Sequence, residues 1–210
     1  MPPTNPETLS FLVPGLLHQF GNAFLSIQGA AFLIAEGSAQ RSREAVSAAV
    51  QRGAAGLDLM RFLAGESAPA AANGVAVLER LVEVIRVPLR EAHHRLTVRV
   101  AASAGSAMVD PSHLVVLTAD AVVRLVRGLQ PGVHGTVVIE AGTPNGTDLG
   151  VHVHFESAPG TLPFPIAVSD LPAQLRSLAA RRGAAVQCLP AVAGVALRFA
   201  FEPVVRAMEA

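Results

Sequence analysis

Residue types that mark particular classes of protein are scarce or missing in this sequence of 210 residues. Cys188 is the single cysteine, so one chain cannot build a disulfide framework or a cysteine-based metal cluster. Lysine is absent, and the 16 basic and 16 acidic residues form no basic stripe, which argues against a nucleic-acid partner. Only 15% of the residues are charged, against an average of about 25%, so the composition excludes a largely disordered chain and favours a homodimer interface.

Membrane and export signals are also missing from the first 35 residues. The segment MPPTNPETLS has no positive charge, so we expect no secretory signal. Phe11–Ala35 is apolar, but a spanning helix needs about 20 predominantly apolar residues with few polar breaks. Here the breaks are Pro14, His18, Gln19, Asn22, Ser26 and Gln28. We therefore expect a cytoplasmic protein without a membrane partner, and a buried bundle helix in this segment.

A heptad pattern runs through the first 64 residues. Its apolar positions are Val13, Leu17, Phe20, Phe24, Ile27, Ala31 and Ile34, and then Val46, Val50, Gly53, Leu57, Met60 and Ala64. Gly37 and Ser38 separate the two runs, so residues 9–64 are predicted to form an antiparallel helical hairpin. Two helices alone cannot cover such a seam, and we expect a homodimer in which two hairpins form a four-helix bundle.

A flexible segment, GESAPAAANG, follows the hairpin and divides the chain into residues 1–66 and 75–205. The second part alternates between helical and strand patterns and is predicted to be an α+β sandwich. Helices are expected over Val77–His93, from a cap at Asp110 to Leu129, and over Leu171–Arg182. Strands are expected at Leu96–Ala101, Gly135–Gly142, Leu149–Glu156, Ala184–Leu189 and Val195–Glu202.

The segment LLHQFGNAFLSIQGAAFLI resembles the phosphoacceptor helix of sensor histidine kinases. In many of those kinases a histidine is followed by an acid and, four residues after the histidine, by an asparagine. The matching residues here are His18, Gln19 in place of the acid, and Asn22. The resemblance implies that His18 is a phosphoacceptor.

The resemblance continues in order along nearly the whole chain. VDPSHLVVLTADAVVRLVRGL is similar to the helix that carries the nucleotide-binding asparagine of the kinase ATPase domain. GTVVIEA and GVHVHFESAPG resemble the strands that lead into its aspartate loop, and LRSLAARRGAAVQCLPAVAGVALRFAFEP resembles its closing helix and hairpin. The implied fold is an α+β chain in which a dimerising helical hairpin precedes a histidine-kinase-ATPase-like α/β sandwich.

The position of the metal-binding asparagine in that domain falls on Arg124, one turn after Asp120. A guanidinium has no acceptor atom and repels Mg²⁺, so the metal site of the family is lost and we expect no metal. Alternatively, Arg124 lies on the surface, or it fills the vacated pocket by pairing with Glu156 or Asp120. We favour the pairing, because a buried unpaired guanidinium is costly.

The base-binding and phosphate-binding segments are altered as well. Glu156 stands at the position of the adenine-reading aspartate, and Ala158 replaces the first glycine of the loop that ends at Gly160. The following TLPFPIAVSD has no glycine-rich turn to hold phosphate through backbone N–H groups. We expect a degenerate nucleotide pocket at Asp120, Arg124, Glu156 and Gly160, with no ATP use and no cofactor.

In size and layout the chain resembles two-domain bacterial histidine phosphotransferases. That resemblance implies a response regulator receiver domain as partner, which supplies its own aspartate and Mg²⁺ and exchanges a phosphoryl group with His18. Gln19 cannot act as a base in place of the family's acid, although it can form hydrogen bonds. Asn22 could instead orient a water that hydrolyses the regulator's phosphate.

Other interpretations of the same residues remain open. His18 can be a polar residue on the wet face of a bundle helix, in a module that docks a regulator or kinase without carrying phosphate. A working kinase with an unusual pocket is a third alternative. His152 and His154 share one strand face and could bind a metal, but no third ligand is evident in the sequence, so a solvent-facing sheet is the simpler interpretation.

Overall fold

The structure, a computed structural model, describes residues 5–35, 39–64, 71–129, 132–143, 149–157, 184–191 and 194–201. In these residues a pair of long helices precedes two further helices and a five-stranded mixed sheet. The predicted α+β architecture, a helical hairpin followed by an α/β sandwich, is confirmed. The predicted helix at Leu171–Arg182 lies outside the described residues.

The hairpin consists of α1 (Pro6–Ala35) and α2 (Ala39–Ala64). The side chain of Asn5 accepts a hydrogen bond from the backbone N–H of Glu7 at 3.0 Å, which satisfies one of the free donors at the start of α1. Pro14 lies inside the helix without ending it. Among the described helices none is long and apolar enough to cross a membrane.

The predicted heptad seam is not the surface that holds this hairpin to the rest of the chain. Leu17 and Phe24 of that seam are 66% and 67% exposed, and Val50 and Leu57 on α2 are exposed too. The buried residues lie on the flank beside the seam, and they are Leu12, Leu16, Ala23 and Ala30 on α1 with Ala49, Leu59 and Leu63 on α2. The apolar stripe is therefore wide enough to bury one side within the chain and leave the other uncovered.

The sandwich contains α3 (Gly74–Glu91), α4 (Pro111–Arg127) and the sheet strands β2 (Arg95–Val100), β4 (Gly135–Gly142), β5 (Leu149–Ser157), β6 (Ala184–Ala191) and β7 (Gly194–Phe201). The short strands β1 (Ala72–Asn73) and β3 (Met108–Val109) pair with each other. The strand order of the large sheet is β2-β4-β5-β7-β6. Only β2 and β4 are parallel among its described pairs, and they are joined through α4.

Side-chain caps fix where α3 and α4 begin. Asn73 accepts a hydrogen bond from the N–H of Ala76, and Asp110 accepts from the N–H groups of Ser112 and His113. Pro111 follows in the first turn, where its missing N–H costs nothing. The predicted cap at Asp110 is confirmed.

One hydrophobic core joins the hairpin to the sandwich. It contains Leu12, Leu16, Leu59 and Leu63 from the hairpin, Leu81 and Ile85 from α3, Leu114 and Leu117 from α4, and Val137, Ile139, Val151 and Val153 from the sheet. These side chains are all buried. Residues 65–70 of the predicted linker lie outside the described residues, and its last three residues form β1 and begin α3 rather than a flexible segment. The hairpin and the sandwich are packed together through this core.

The hairpin approaches the sandwich very closely at Gly15. A Cβ atom built at this position would collide with the backbone carbonyl of Val84 on α3. Backbone atoms cannot yield as a flexible side chain can, so only glycine allows α1 to lie this close to α3. At Gly29, further along α1, no such neighbour is present, since nothing lies within 4 Å of a Cβ built there.

We predict that Gly15→Ala lowers the free energy of unfolding by about 2 kcal/mol, because the added methyl group forces α1 away from α3. Thermal and urea unfolding followed by circular dichroism would measure the change. Gly29→Ala is the matched control on the same helix and should be neutral or stabilising by up to about 1 kcal/mol. Equal effects of the two substitutions would contradict the packing described here.

Candidate functional site

His18 lies on the exposed face of α1 and is held by Asn22 one turn later. The Asn22 Nδ2 atom is 3.0 Å from His18 Nε2, and its N–H can donate to this ring nitrogen in the tautomer that carries the proton on Nδ1. The helical spacing of four residues places both side chains on one face, as the sequence implied. In that tautomer Nε2 carries the ring lone pair, which can attack an electrophile once Asn22 releases it.

A short chain of hydrogen bonds fixes the surroundings of Asn22. Ser26 donates from Oγ to the backbone carbonyl of Asn22 at 2.8 Å, and Arg52 on α2 donates to Ser26 Oγ at 3.0 Å. Arg52 is thereby held beside the turn of α1 that follows His18. Sequence reasoning missed Arg52, because no local motif signals a contact between residues 26 positions apart.

Gln19 does not extend this arrangement. Its Oε1 atom is buried without a hydrogen-bond partner among the described residues, and it lies beside Gly56 of α2. The side chain of Gln19 thus packs into the interface between the two helices. The structure brings His18 and Asn22 together and records no hydrogen bond from Gln19 to either of them.

A cleft of about 940 Å³ opens beside His18 between the hairpin, α3 and the edge strand β2. We call it the His18 cleft, and its lining includes His18, Asn22, Arg52, Glu79, Arg80, Glu83, Arg86, Val98 and Val100. Arg86 forms a loose ion pair with Glu83 at 3.7 Å between side chains that are both well exposed. The three guanidinium groups of the lining outnumber its two carboxylates, Glu79 and Glu83, and this excess of positive charge suits an anionic group such as a phosphoryl group or a carboxylate.

Arg124, which the resemblance aligned with a metal-binding asparagine, forms an ion pair with Asp120. Arg124 Nε donates to Asp120 Oδ2 at 2.6 Å, and the Asp120 side chain is only 2% exposed. Thr8 at the start of α1 donates to the other carboxylate oxygen, Oδ1, at 2.9 Å. Of the alternatives weighed for Arg124, the structure shows pairing with Asp120. Thr8 was missed because it is separated from Asp120 by 112 residues.

Glu156 lies away from this pair. It follows the core residue Phe155 on β5 and so faces the opposite side of the sheet, where its side chain is 48% exposed. There Arg99 lies between Glu156, at 3.4 Å, and Glu140, at 2.8 Å. The hydrogen bond from Arg99 lowers the pKa of Glu140, so this carboxyl group is ionised at neutral pH.

Of the four residues predicted to form a degenerate nucleotide pocket, the structure therefore brings two together. Asp120 and Arg124 pair on the inner, helix-covered side of the sheet, while Glu156 lies on the outer side. Gly160 lies outside the described residues. The strand register decides this outcome, because a shift of one residue would have turned Glu156 inward.

Solved structures with similar arrangements include a bacterial phosphotransferase, with 13% identity, a TM-score of 0.41, and coverage of 95% of this chain and 98% of that chain. The histidine kinase domain of a blue-light activated kinase from Erythrobacter litoralis EL346 has 14% identity, a TM-score of 0.46, and coverage of 90% and 94%. The Acinetobacter baumannii histidine kinase AdeS has 12% identity, a TM-score of 0.45, and coverage of 89% and 98%.

No protein-family model and no curated protein matches the sequence. All three TM-scores are below 0.5, so these likenesses carry no argument about what the chain does.

We predict that Asp120→Ala lowers the free energy of unfolding by about 3 kcal/mol, since it removes a buried carboxylate that holds both Arg124 and Thr8. Chemical denaturation would measure the loss. Glu156→Ala is the control: it removes an exposed carboxylate paired with an arginine and should cost no more than about 1 kcal/mol. A larger loss in Glu156→Ala would show that the wrong carboxylate was assigned the structural role.

Proposed function

We propose that the protein is a histidine phosphotransferase of a two-component phosphorelay. His18 exchanges a phosphoryl group with the aspartate of a response regulator receiver domain, and the protein does not use ATP itself. A cytoplasmic location is part of this proposal. The observation that carries it is the exposed His18, held by Asn22 at the edge of a cleft with three arginines.

The transfer needs little more than a positioned imidazole. The Nε2 lone pair of His18 attacks the phosphorus of an aspartyl phosphate, an N–P bond forms, and the O–P bond breaks as the aspartate carboxylate leaves. The receiver domain supplies Mg²⁺ together with its aspartate. Arg52, Arg80 and Arg86 line the cleft in positions where guanidinium groups can offset the charge of the transferred group or of an acidic partner surface.

Exposed apolar side chains further along the His18 side of α1 support docking of a protein rather than a small molecule. Leu25 follows His18 by seven residues and Phe32 by fourteen, so that all three lie along one side of α1. Leu25 is 65% exposed and Phe32 is 75% exposed. An apolar strip that extends from a reactive histidine offers contact area of the kind that protein interfaces bury.

The absence of ATP use is supported by the inner side of the sheet. A cation at the Arg124 position repels Mg²⁺, and Asp120 is already committed to Arg124 and Thr8. The shared hydrophobic core adds a second reason, because it holds the sandwich in one arrangement against the hairpin. A kinase has to move its nucleotide-binding domain so that the bound nucleotide reaches the histidine, and a sandwich fixed in one arrangement cannot make that movement.

A docking module without phosphotransfer is the alternative function. It is favoured by one observation, which is that the position after His18 is a glutamine packed against α2. His18 therefore has no adjacent carboxylate to take its proton. A receiver domain or a true kinase would then bind the same cleft, and the effect on that partner would not depend on the imidazole.

We also propose that the protein forms a homodimer through the exposed seam of the hairpin. The exposed seam contains Val13, Leu17, Phe24 and Ile27 on α1, with Val50, Leu57 and Met60 on α2. Monomeric proteins rarely expose an apolar strip of this length, and a second hairpin would cover it in a four-helix bundle. His18 and Asn22 lie beside this seam rather than in it, so they stay accessible in such a dimer.

For the phosphotransferase activity, we predict rapid labelling of the protein by at least one phosphorylated receiver domain from the same organism. The label should be acid-labile, because a phosphoramidate hydrolyses in acid. His18→Ala should abolish the label, and His134→Gln, an exposed histidine outside the site, should leave it unchanged. If a regulator binds the protein and His18→Ala equally well and no label transfers, the docking module replaces the phosphotransferase.

For the dimer, we predict that Phe24→Glu converts the protein from a dimer to a monomer, because a carboxylate in the seam would be buried without a partner. Light scattering coupled to size exclusion, at micromolar protein, would measure the mass. Val100→Glu is the control, since Val100 is an exposed apolar residue outside the hairpin. A wild-type monomer at this concentration would remove the dimer from the proposal.

A further inference from the structure

The outer side of the sheet carries a cluster of metal-binding residue types that the phosphotransfer chemistry does not use. Glu140 on β4 is the register partner of His152 on β5, and His154 follows on the same side of β5. One ligand atom from each of the three lies within 4.8 Å of the others. We call Glu140, His152 and His154 the sheet-face cluster.

The third residue of this cluster is the one that the sequence did not reveal. Glu140 lies 12 positions before His152 in the chain, and only the pairing of β4 with β5 brings the two together. His152 Nδ1 is 3.2 Å from Glu140 Oε2. Two ligands on one tetrahedral zinc ion, with bonds of about 2.0 Å, are separated by a similar distance of about 3.3 Å.

Hydrogen bonds within the protein leave part of each histidine unsatisfied. His152 Nε2 and His154 Nδ1 are buried and have no hydrogen-bond partner among the described residues. The two rings are close, with centroids 4.8 Å apart and planes inclined by 34°. Buried polar atoms without partners are costly, so a metal ion bound at His154 Nδ1 would relieve that atom, while His152 would coordinate through Nδ1, the nitrogen beside Glu140.

Glu156 and Arg99 orient two of the three candidate ligands, His154 and Glu140, as the outer partners of metal ligands do. His154 Nε2 is 3.4 Å from Glu156 Oε1, which leaves Nδ1 as its coordinating nitrogen. Arg99 binds the Oε1 atom of Glu140 at 2.8 Å and leaves Oε2 on the side of His152. Carboxylates that orient a ligating imidazole, and cations that orient a ligating carboxylate, are the usual outer partners of zinc ligands.

We propose that the sheet-face cluster binds one Zn²⁺ ion, with His152, His154 and Glu140 each supplying one ligand atom. Two imidazoles and one carboxylate suit zinc, which commonly takes three protein ligands and leaves a fourth position for water or another ligand. The side chains of His152 and His154 are 23% and 15% exposed, so an ion can enter from solvent while the rings stay anchored. Arg99, the register partner of Glu140 on β2, is offset by Glu140 and Glu156, and Arg198 on β7 is the register partner of His152 on the other side of the cluster.

This site is separate from the proposed phosphotransfer. Its ligands are on β4 and β5, whereas His18 and Asn22 are on α1 and line a cleft whose other walls are α2, α3 and the edge strand β2. A failure of zinc binding would leave the phosphotransferase proposal unchanged, and the reverse also holds.

Isothermal titration of the metal-free full chain with zinc chloride would test the proposal. We expect one ion per chain, and a loss of affinity of tenfold or more in each of His152→Gln, His154→Gln and Glu140→Gln. Titration with Co²⁺ would give a second readout, because tetrahedral coordination produces visible absorption bands that the same three substitutions should remove. Circular dichroism of each variant would establish that it is folded.

His134→Gln is the matched control. His134 lies close to His93 and His94, with ring centroids 5.8 Å and 6.3 Å away, so this second group of histidines is the main competitor for zinc. Binding that survives in His134→Gln and is lost in His154→Gln supports the sheet-face cluster. Binding lost only in His134→Gln, or no binding by the wild-type chain, would overturn the proposal and leave the outer side of the sheet as a solvated polar surface.

Discussion

The buried carboxylate of Asp120 links the parts of this molecule on which its chemistry depends. It accepts hydrogen bonds from Arg124 on its own helix and from Thr8 at the start of α1, so one side chain connects the sandwich to the hairpin. Around it the two parts share a hydrophobic core, and Gly15 lets α1 approach the backbone of α3. A buried charge that loses one partner is costly, which makes this joint hard to open.

In our proposal, the same joint accounts for phosphotransfer without nucleotide use. A flexible connection would let the sandwich deliver a nucleotide to His18, whereas a shared core holds the sandwich as a wall of the His18 cleft. Both the hairpin and the sandwich contribute guanidinium groups to the cleft: Arg52 is on α2, and Arg80 and Arg86 are on α3. In our proposal the sandwich forms part of the docking surface for a partner.

The sheet separates two chemical environments. Its inner side is covered by helices and holds the hydrophobic core together with the Asp120 pair, while its outer side carries Arg99, Glu140 and the histidines of β5. Successive side chains along β4 and β5 point to opposite sides of the sheet, so residues that are neighbours in sequence lie in different environments. Phe155 belongs to the core, and Glu156 next to it belongs to the outer polar surface.

The sequence by itself determined the elements of this protein, because helical and strand periodicity, the Asp110 cap and the glycine-rich breaks are local signals. It also determined that His18 and Asn22 share a helix face, since four residues make about one turn. Only the tertiary structure decided which flank of the wide apolar stripe is buried, that Arg124 pairs with Asp120, and that Glu140 joins His152. Those choices depend on contacts between distant segments and on strand register, which no local pattern encodes.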